Sequence, residues 1–137
     1  MGKGPEEEAL NEMRRKLGLE NSVEMLKDLD RKELYRLVKG SCALIHMSER
    51  EGLSLITLES LALGTPVVLP NYTAIPEEVK KMCVVEKEKN IPDRVVEILR
   101  SGDPSAYIHD KKGLDEFSLS NTNEFYENLF RKLRGKG

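Results

Sequence analysis

The sequence predicts an α/β protein in which a parallel sheet of about four strands is flanked by helices. Segments with helical periodicity alternate with short apolar strands, a pattern typical of parallel sheets. Residues 43–47 and 66–69 are continuous apolar runs, as in strands that helices cover on both faces. Residues 55–63, between those runs, are apolar on nearly every side, which predicts a buried helix.

The first part of the chain predicts a helix, a strand and a second helix. Residues 5–17 have a helical apolar stripe that ends at Gly18, and residues 23–26 form a short strand. Asp30 and Glu33 have the spacing of a capping box at the start of the second helix.

The remaining elements are predicted mainly from their glycine and proline boundaries. Gly64 and Pro66 end the buried helix, with Gly64 in the left-handed position. The elements predicted after these are a helix from Pro76, a strand at 82–85, a helix from Pro92 to Leu99, a helix from Asp103 to Gly113, and a last helix capped by Asn121.

Length, charge and composition narrow the classes of function. A chain of 137 residues predicts a single domain over residues 1–137. A net charge of −2 argues against a nucleic-acid-binding face, which would be basic. No run of apolar residues is long enough to cross a membrane, and the beginning of the chain lacks a signal-peptide core, so we expect a cytoplasmic protein.

Cysteines and histidines give no evidence of a metal site. Cys42 and Cys83 are isolated, each at the predicted beginning of a strand, and form neither a zinc pattern nor a disulfide framework. The two histidines, His46 and His109, are far apart in sequence, and we interpret His46 as a strand residue and not as a base.

The segment from Ser48 to Glu59 is the best candidate for a binding site. A buried parallel strand ends just before it and a buried helix begins within it, and ligands of such sheets bind at the carboxyl ends of strands. Backbone N–H groups at 52–55 would face an anion, and Gly52 would let a ligand approach the backbone.

Two carboxylates, Glu51 and Glu59, frame this site. A glutamate on an apolar helix needs a partner, and a vicinal diol of a sugar can supply two hydrogen bonds to it. The residues alone leave a second interpretation open, in which Glu59 forms an ion pair in the core and Glu51 is a solvated loop residue.

The segment EGLSLITLESLALGTPVV resembles the EGFGLPxLEAMAxGxPVV signature of retaining group 1 glycosyltransferases, including its E-x7-E spacing. Further similarities follow in the same order as in that family and span nearly the whole chain. They are the G-x-G-P turn at 2–5, the segment Glu33-Leu34-Tyr35, the IPEEV segment at 75–79, and Phe117-Ser118. The resemblance implies a Rossmann-like sheet, part of the C-terminal domain of the GT-B fold.

The resemblance also implies the roles of individual residues. Glu51 would be the catalytic residue that contacts the donor sugar, and Glu59 would bind the ribose. The backbone at Gly52, Leu53, Ser54 and Leu55 would hold the sugar or the diphosphate. The donor would be a UDP-, GDP- or ADP-sugar, with no metal ion and no other cofactor.

The chain departs from the family pattern in two respects. Ser54 stands where many members have glycine, which puts the identity of the donor in doubt. The Arg and Lys that clamp the diphosphate, and the whole N-terminal acceptor domain, precede the G-x-G-P turn in the family. The sequence therefore predicts a partial enzyme that is inactive alone and binds its donor weakly, on the order of millimolar.

Two further expectations follow from the resemblance. The family sheet has the strand order 3-2-1-4-5-6, so the strands kept here would close up as 3-4-5-6, and uncovered apolar surface would favour a homodimer. The alternative to a glycosyltransferase is a non-catalytic α/β module for assembly or regulation that is derived from one.

Overall fold

The computed structural model describes residues 5–117. Contacts divide the chain into two units, Met1–Arg36 and Leu37–Gly137. Helix α1, Glu7–Lys16, confirms the first predicted helix, and Gly18 follows it with a φ of +64°. Acidic residues in its first turn and basic residues in its last turn interact favourably with the helix dipole and stabilise the helix.

Helix α2, Arg31–Lys39, begins with the predicted capping box. The Asp30 amide donates to Glu33 Oε2 at 3.2 Å, and the Glu33 amide donates to Asp30 Oδ1 at 2.8 Å. Two backbone donors that a helix start leaves without partners are thereby satisfied, which fixes where α2 begins.

The predicted strand at residues 23–26 is not formed. Backbone groups of Val23 are bonded locally: its amide donates to the Leu19 carbonyl at 2.9 Å, and its carbonyl accepts from Arg14 Nη1 at 2.9 Å. A short segment of this kind becomes a strand only where a neighbouring strand is available to pair with it. The prediction that this segment lies beside the next strand of the sheet is therefore also wrong.

Three parallel strands form the sheet of the second unit, and they confirm the α/β, Rossmann-like fold class. They are β1 (Leu44–Ile45), β2 (Val67–Pro70) and β3 (Val84–Glu86), in the order β1-β2-β3. Leu44 pairs with Val67, and Val68 pairs with Val84.

The helices of the second unit follow the predicted pattern with one correction. They are α3 (Leu55–Ala62), α4 (Glu77–Lys80) and α5 (Ile91–Arg100), with a 3₁₀ turn at Glu88–Asn90. The helix predicted from Asp103 to Gly113 is instead two 3₁₀ helices, Pro104–Tyr107 and Lys111–Phe117. Buried Ile108 separates them in an extended conformation, so it interrupts the helical hydrogen bonds. The last predicted helix lies outside the described residues.

The core lies on both faces of β2, whose four residues are all buried. Val67 and Leu69 pack on one face with residues of α3 and α4, and Val68 packs on the other with Ile91 and Ile98 of α5. Alternation of side chains along the strand produces this division. The central strand thus confirms the expectation of a strand covered on both faces, whereas Ile45 of β1 is 46% exposed.

Cys83 is buried, and it directly precedes the strand that it was predicted to begin. The amides of Met82 and Cys83 donate to the carbonyls of Val79 and Lys80, so the helical turn of α4 continues up to Val84. Burial raises the pKa of the Cys83 thiol to about 12, which keeps it a neutral core residue. No helix in residues 5–117 is long and apolar enough to cross a membrane.

Candidate functional site

The candidate site begins where β1 ends. The Leu44 amide donates to the Pro66 carbonyl at 2.9 Å, and the His46 amide donates to the Val68 carbonyl at 3.1 Å. Ladder bonding therefore continues one residue beyond β1, and the loop that carries Glu51 and Gly52 follows at the carboxyl end of the strand. Ligands of open parallel sheets bind at this carboxyl end of the strands.

The loop after β1 is tied to the loop after β2. Thr73 donates its hydroxyl to the Ser48 carbonyl at 2.9 Å, and the Ala74 amide donates to the Glu49 carbonyl at 3.2 Å. Thr73 is only 3% exposed. These bonds hold the residues just before Glu51 against the loop that follows β2, and this restricts the path of the loop that carries Glu51.

Glu51 lies beside a small polar cluster. Its Oε2 is 3.3 Å from His46 Nε2, and the same nitrogen is 3.3 Å from Ser54 Oγ. Ser54 Oγ is in turn 2.9 Å from Thr57 Oγ1. Ser54 and Thr57 are buried, while Glu51 remains partly exposed. The carboxylate can therefore contact both the cluster and a ligand from solvent.

Ser54 directly precedes α3 and has a left-handed backbone, with φ +48° and ψ +81°. Only glycine adopts this region without steric cost. The structure thus gives a physical reason for the glycine that family members have here. The Ser54 hydroxyl does not cap α3, because it is bonded to side chains and not to the amides of the first turn.

The first amides of α3 are available to a ligand. The amides of Thr57 and Leu58 donate to the Ser54 carbonyl, whereas those of Gly52, Leu53 and Leu55 donate to no backbone carbonyl of residues 5–117. A Cβ placed on Gly52 would meet no atom within 4 Å, so the space beside its backbone is open. Free N–H groups at a helix start suit an anion.

Glu59 lies on α3 and is partly buried. Besides the apolar residues that predicted a buried helix, α3 carries the buried polar residues Thr57 and Ser60, and Ser60 donates to the Thr65 carbonyl at 3.2 Å. The structure places Glu51 in the loop and Glu59 on the helix that this loop enters. That both carboxylates serve one ligand stays a prediction.

The family model of group 1 glycosyl transferases matches residues 1–105. The chain belongs to the group 1 glycosyl transferases. This match includes the whole sheet and all of the candidate site residues from Glu51 to Glu59. No curated protein matches the chain.

Three residues of the candidate site were missed by sequence reasoning. His46 was interpreted as a strand residue, which is true of its backbone, but its ring contacts the site. Thr57 and Thr73 were not singled out, since neither is in a position that a motif marks. His46 could have been found from its place at the end of an apolar strand, where side chains reach the ligand edge of the sheet.

Within residues 5–117 of this glycosyl transferase, no group of three or more His, Cys, Asp or Glu side chains could hold a metal ion. Around Glu51, the arrangement offers backbone donors, a carboxylate acceptor and an imidazole. These groups can bind an anion and sugar hydroxyls by hydrogen bonds alone.

Proposed function

We propose that this chain binds the nucleotide-sugar donor of a retaining glycosyl transfer. The proposal is carried by the position of Glu51 between the carboxyl end of β1 and the open amides at the start of α3. Membership of the group 1 glycosyl transferases supports the same assignment. In this proposal the donor is a UDP-, GDP- or ADP-sugar, and no metal ion or other cofactor takes part.

Glu51 is the residue that contacts the reacting sugar. As a partly exposed carboxylate it can accept hydrogen bonds from two neighbouring hydroxyls. The amides of Gly52, Leu53, Ser54 and Leu55 hold the sugar or the diphosphate, since they lie at the positive end of α3. Contacts that strengthen as charge develops on the sugar would lower the barrier to transfer.

Glu59 binds the ribose of the nucleotide. It lies about one turn into α3, and its carboxylate suits the ribose diol for the same reason that Glu51 suits the sugar. The two carboxylates would thus bind different parts of the donor, Glu51 the sugar and Glu59 the nucleoside.

Transfer also requires an acceptor held next to the donor, because catalysis depends on bringing both reactants together. We propose that a separate acceptor-binding domain supplies it and that residues 1–137 alone bind a donor without transferring its sugar. The acceptor class is a sugar or a lipid.

Saturation-transfer NMR and calorimetry with UDP-, GDP- and ADP-sugars test the proposal. In the proposal the diphosphate is held by backbone amides and not by the stronger charge-assisted bonds of Arg or Lys. We therefore expect a dissociation constant on the order of millimolar, about −4 kcal/mol. Micromolar affinity would show that the phosphate site is assigned to the wrong groups.

Three variants make this binding test specific. Glu51→Gln and Glu59→Gln should each weaken binding of the preferred donor about ten-fold, since each removes a charged acceptor. Glu20→Gln is the matched control, because Glu20 is an exposed residue of the turn after α1. Failure of every donor to bind the unmodified chain would favour the alternative, a non-catalytic module.

A further inference from the structure

The ring of His46 connects the sheet to the loop that carries Glu51. The His46 amide is bonded to the Val68 carbonyl at 3.1 Å, so the backbone of His46 is held by the strand ladder. Its Nε2 lies 3.3 Å from Glu51 Oε2, and the two side chains are 17% and 32% exposed. A loop carboxylate is therefore in contact with a ring whose position the sheet determines.

The chemistry of the cluster sets the direction of its hydrogen bonds. An ionised carboxylate only accepts, so a favourable contact with Glu51 Oε2, 3.3 Å away, needs a proton on His46 Nε2. In that tautomer Ser54 Oγ, which lies 3.3 Å from the same nitrogen, accepts from it. The Ser54 hydroxyl is then free to donate to Thr57 Oγ1, 2.9 Å away.

Ser54 occupies a backbone conformation that favours glycine, with φ +48°. What serine has and glycine lacks is the hydroxyl, and here the hydroxyl joins the His46 ring to fully buried Thr57 on α3. Ser54 thus holds the His46 ring through its hydroxyl, in addition to the strand bonding that holds the His46 backbone.

We propose that His46 is a positioning residue that, together with Ser54, holds the Glu51 carboxylate in the orientation that receives the hydroxyls of the donor sugar. This inference rests on the proposed function, which assigns the sugar to Glu51. Binding of the sugar half of the donor then depends on His46, whereas binding of the nucleotide half, assigned to Glu59, does not.

Imidazole NMR of the whole chain tests the contact itself. The chain has two histidines, so His109, which is exposed, provides an internal reference. Long-range ¹H–¹⁵N spectra should show His46 protonated at Nε2, with ring signals that move in Glu51→Ala and in Ser54→Gly while those of His109 stay in place. Unchanged His46 signals in both variants would overturn the proposal.

Donor binding tests the role. Each nucleotide sugar is compared with the matching nucleoside diphosphate in the unmodified chain, His46→Ala, His46→Gln and His109→Ala. His46→Ala should weaken binding of the sugar nucleotide about ten-fold, because it removes one polar contact to a charged group, and should leave binding of the diphosphate unchanged. His46→Gln keeps an N–H donor and should recover part of the loss, and His109→Ala should match the unmodified chain.

The two readouts separate failure of this inference from failure of the proposed function. If no donor binds the unmodified chain, the proposed function is wrong, and the imidazole spectra still decide whether His46 holds Glu51. If the donor binds and His46→Ala weakens binding of the sugar nucleotide and of the diphosphate equally, the positioning role of His46 is wrong and the proposed function stands.

Discussion

Ser54 combines an unfavourable backbone with favourable side-chain bonds, and two substitutions separate these effects. Ser54→Ala removes the bonds to His46 and Thr57 but keeps a Cβ at φ +48°. Ser54→Gly removes the same bonds and also the steric cost. We therefore expect the glycine variant to be more stable than the alanine variant by about 1 kcal/mol.

Urea denaturation of both variants under the same conditions measures this difference. Equal midpoints, or a more stable alanine variant, would mean that Ser54 does not adopt the left-handed conformation in solution.

Thr73 and Thr65 form a matched pair for testing whether the loop before Glu51 must be held in place. Both are buried, and each donates its hydroxyl to a backbone carbonyl, that of Ser48 at 2.9 Å and that of Val38 at 2.8 Å. Replacing either by valine should lower the free energy of unfolding by about 1 kcal/mol. Only Thr73→Val should also weaken donor binding, because only its bond reaches the loop that carries Glu51.

Chemical denaturation and donor titration of the two valine variants provide the measurements. Equal weakening of donor binding by both would indicate a general loss of stability and not a local effect on the loop.

The candidate site residues that sequence reasoning singled out lie in one contiguous motif, and two of the three that it missed are brought in by the fold. Glu51, Gly52 and Ser54 were identified because their spacing relative to the helix start is local information. His46 and Thr73 reach the motif through strand pairing and loop packing, which depend on neighbours distant in sequence. The place of His46 after an apolar strand indicates only that it lies near the carboxyl end of the sheet; whether its ring points into the candidate site depends on the fold.

At the level of elements, Glu86 and Arg94 join β3 to α5. Arg94 Nε and Nη2 donate to Glu86 Oε1 at 3.0 and 2.6 Å, and the same arginine reaches Glu97 on its own helix. The hydrogen bond from Arg94, followed by that from Asn90, lowers the pKa of Glu86. A lowered pKa in the folded state means that the bond stabilises the fold above the ordinary glutamate pKa and that this contribution is lost as the pH falls through the folded value.

Arg94→Met should accordingly lower the melting temperature at neutral pH. The difference in melting temperature between the variant and the unmodified chain should become smaller as the pH falls below the ordinary glutamate pKa. Glu97→Gln, which leaves the Glu86 pair intact, is the control and should have a smaller effect. Melting curves from acidic to neutral pH measure both. A difference that does not depend on pH would show that the packing of Arg94, and not its charge, links the two elements.

Element boundaries were predictable where short-range chemistry sets them. The capping box fixed the start of α2, and Gly64, with φ +85°, follows the end of α3 as predicted. The strand expected at 23–26 is absent because a strand also requires a pairing partner, a property of the whole fold.

On the scale of the whole molecule, apolar periodicity predicted the α/β class because burial on both faces leaves a continuous run of apolar residues, as in β2. The same pattern at 43–47 did not reveal that β1 lies at an edge of the sheet. Whether a strand is central or at an edge depends on how many strands pair, which the composition of one strand does not encode.

The open edge of β1 leads to a prediction about self-association. The amides of Leu44 and His46 face β2, so the backbone groups of Ile45 point to the opposite side, where no strand of residues 5–117 pairs with it. The side chains of Ile45 and Met47 are 46% and 42% exposed. An unpaired apolar edge favours pairing with a second copy, and a lysine at an edge opposes it.

We therefore expect the sedimentation coefficient of the chain to rise with protein concentration, and we expect Ile45→Lys to abolish that rise. Leu99→Lys is the control: Leu99 is an exposed apolar residue of the helix α5 and belongs to no strand, so its replacement should leave association unchanged. If Leu99→Lys dissociates the dimer as well, general surface hydrophobicity and not the β1 edge drives association. If the unmodified chain sediments as a monomer at every concentration, the edge of β1 does not drive self-association.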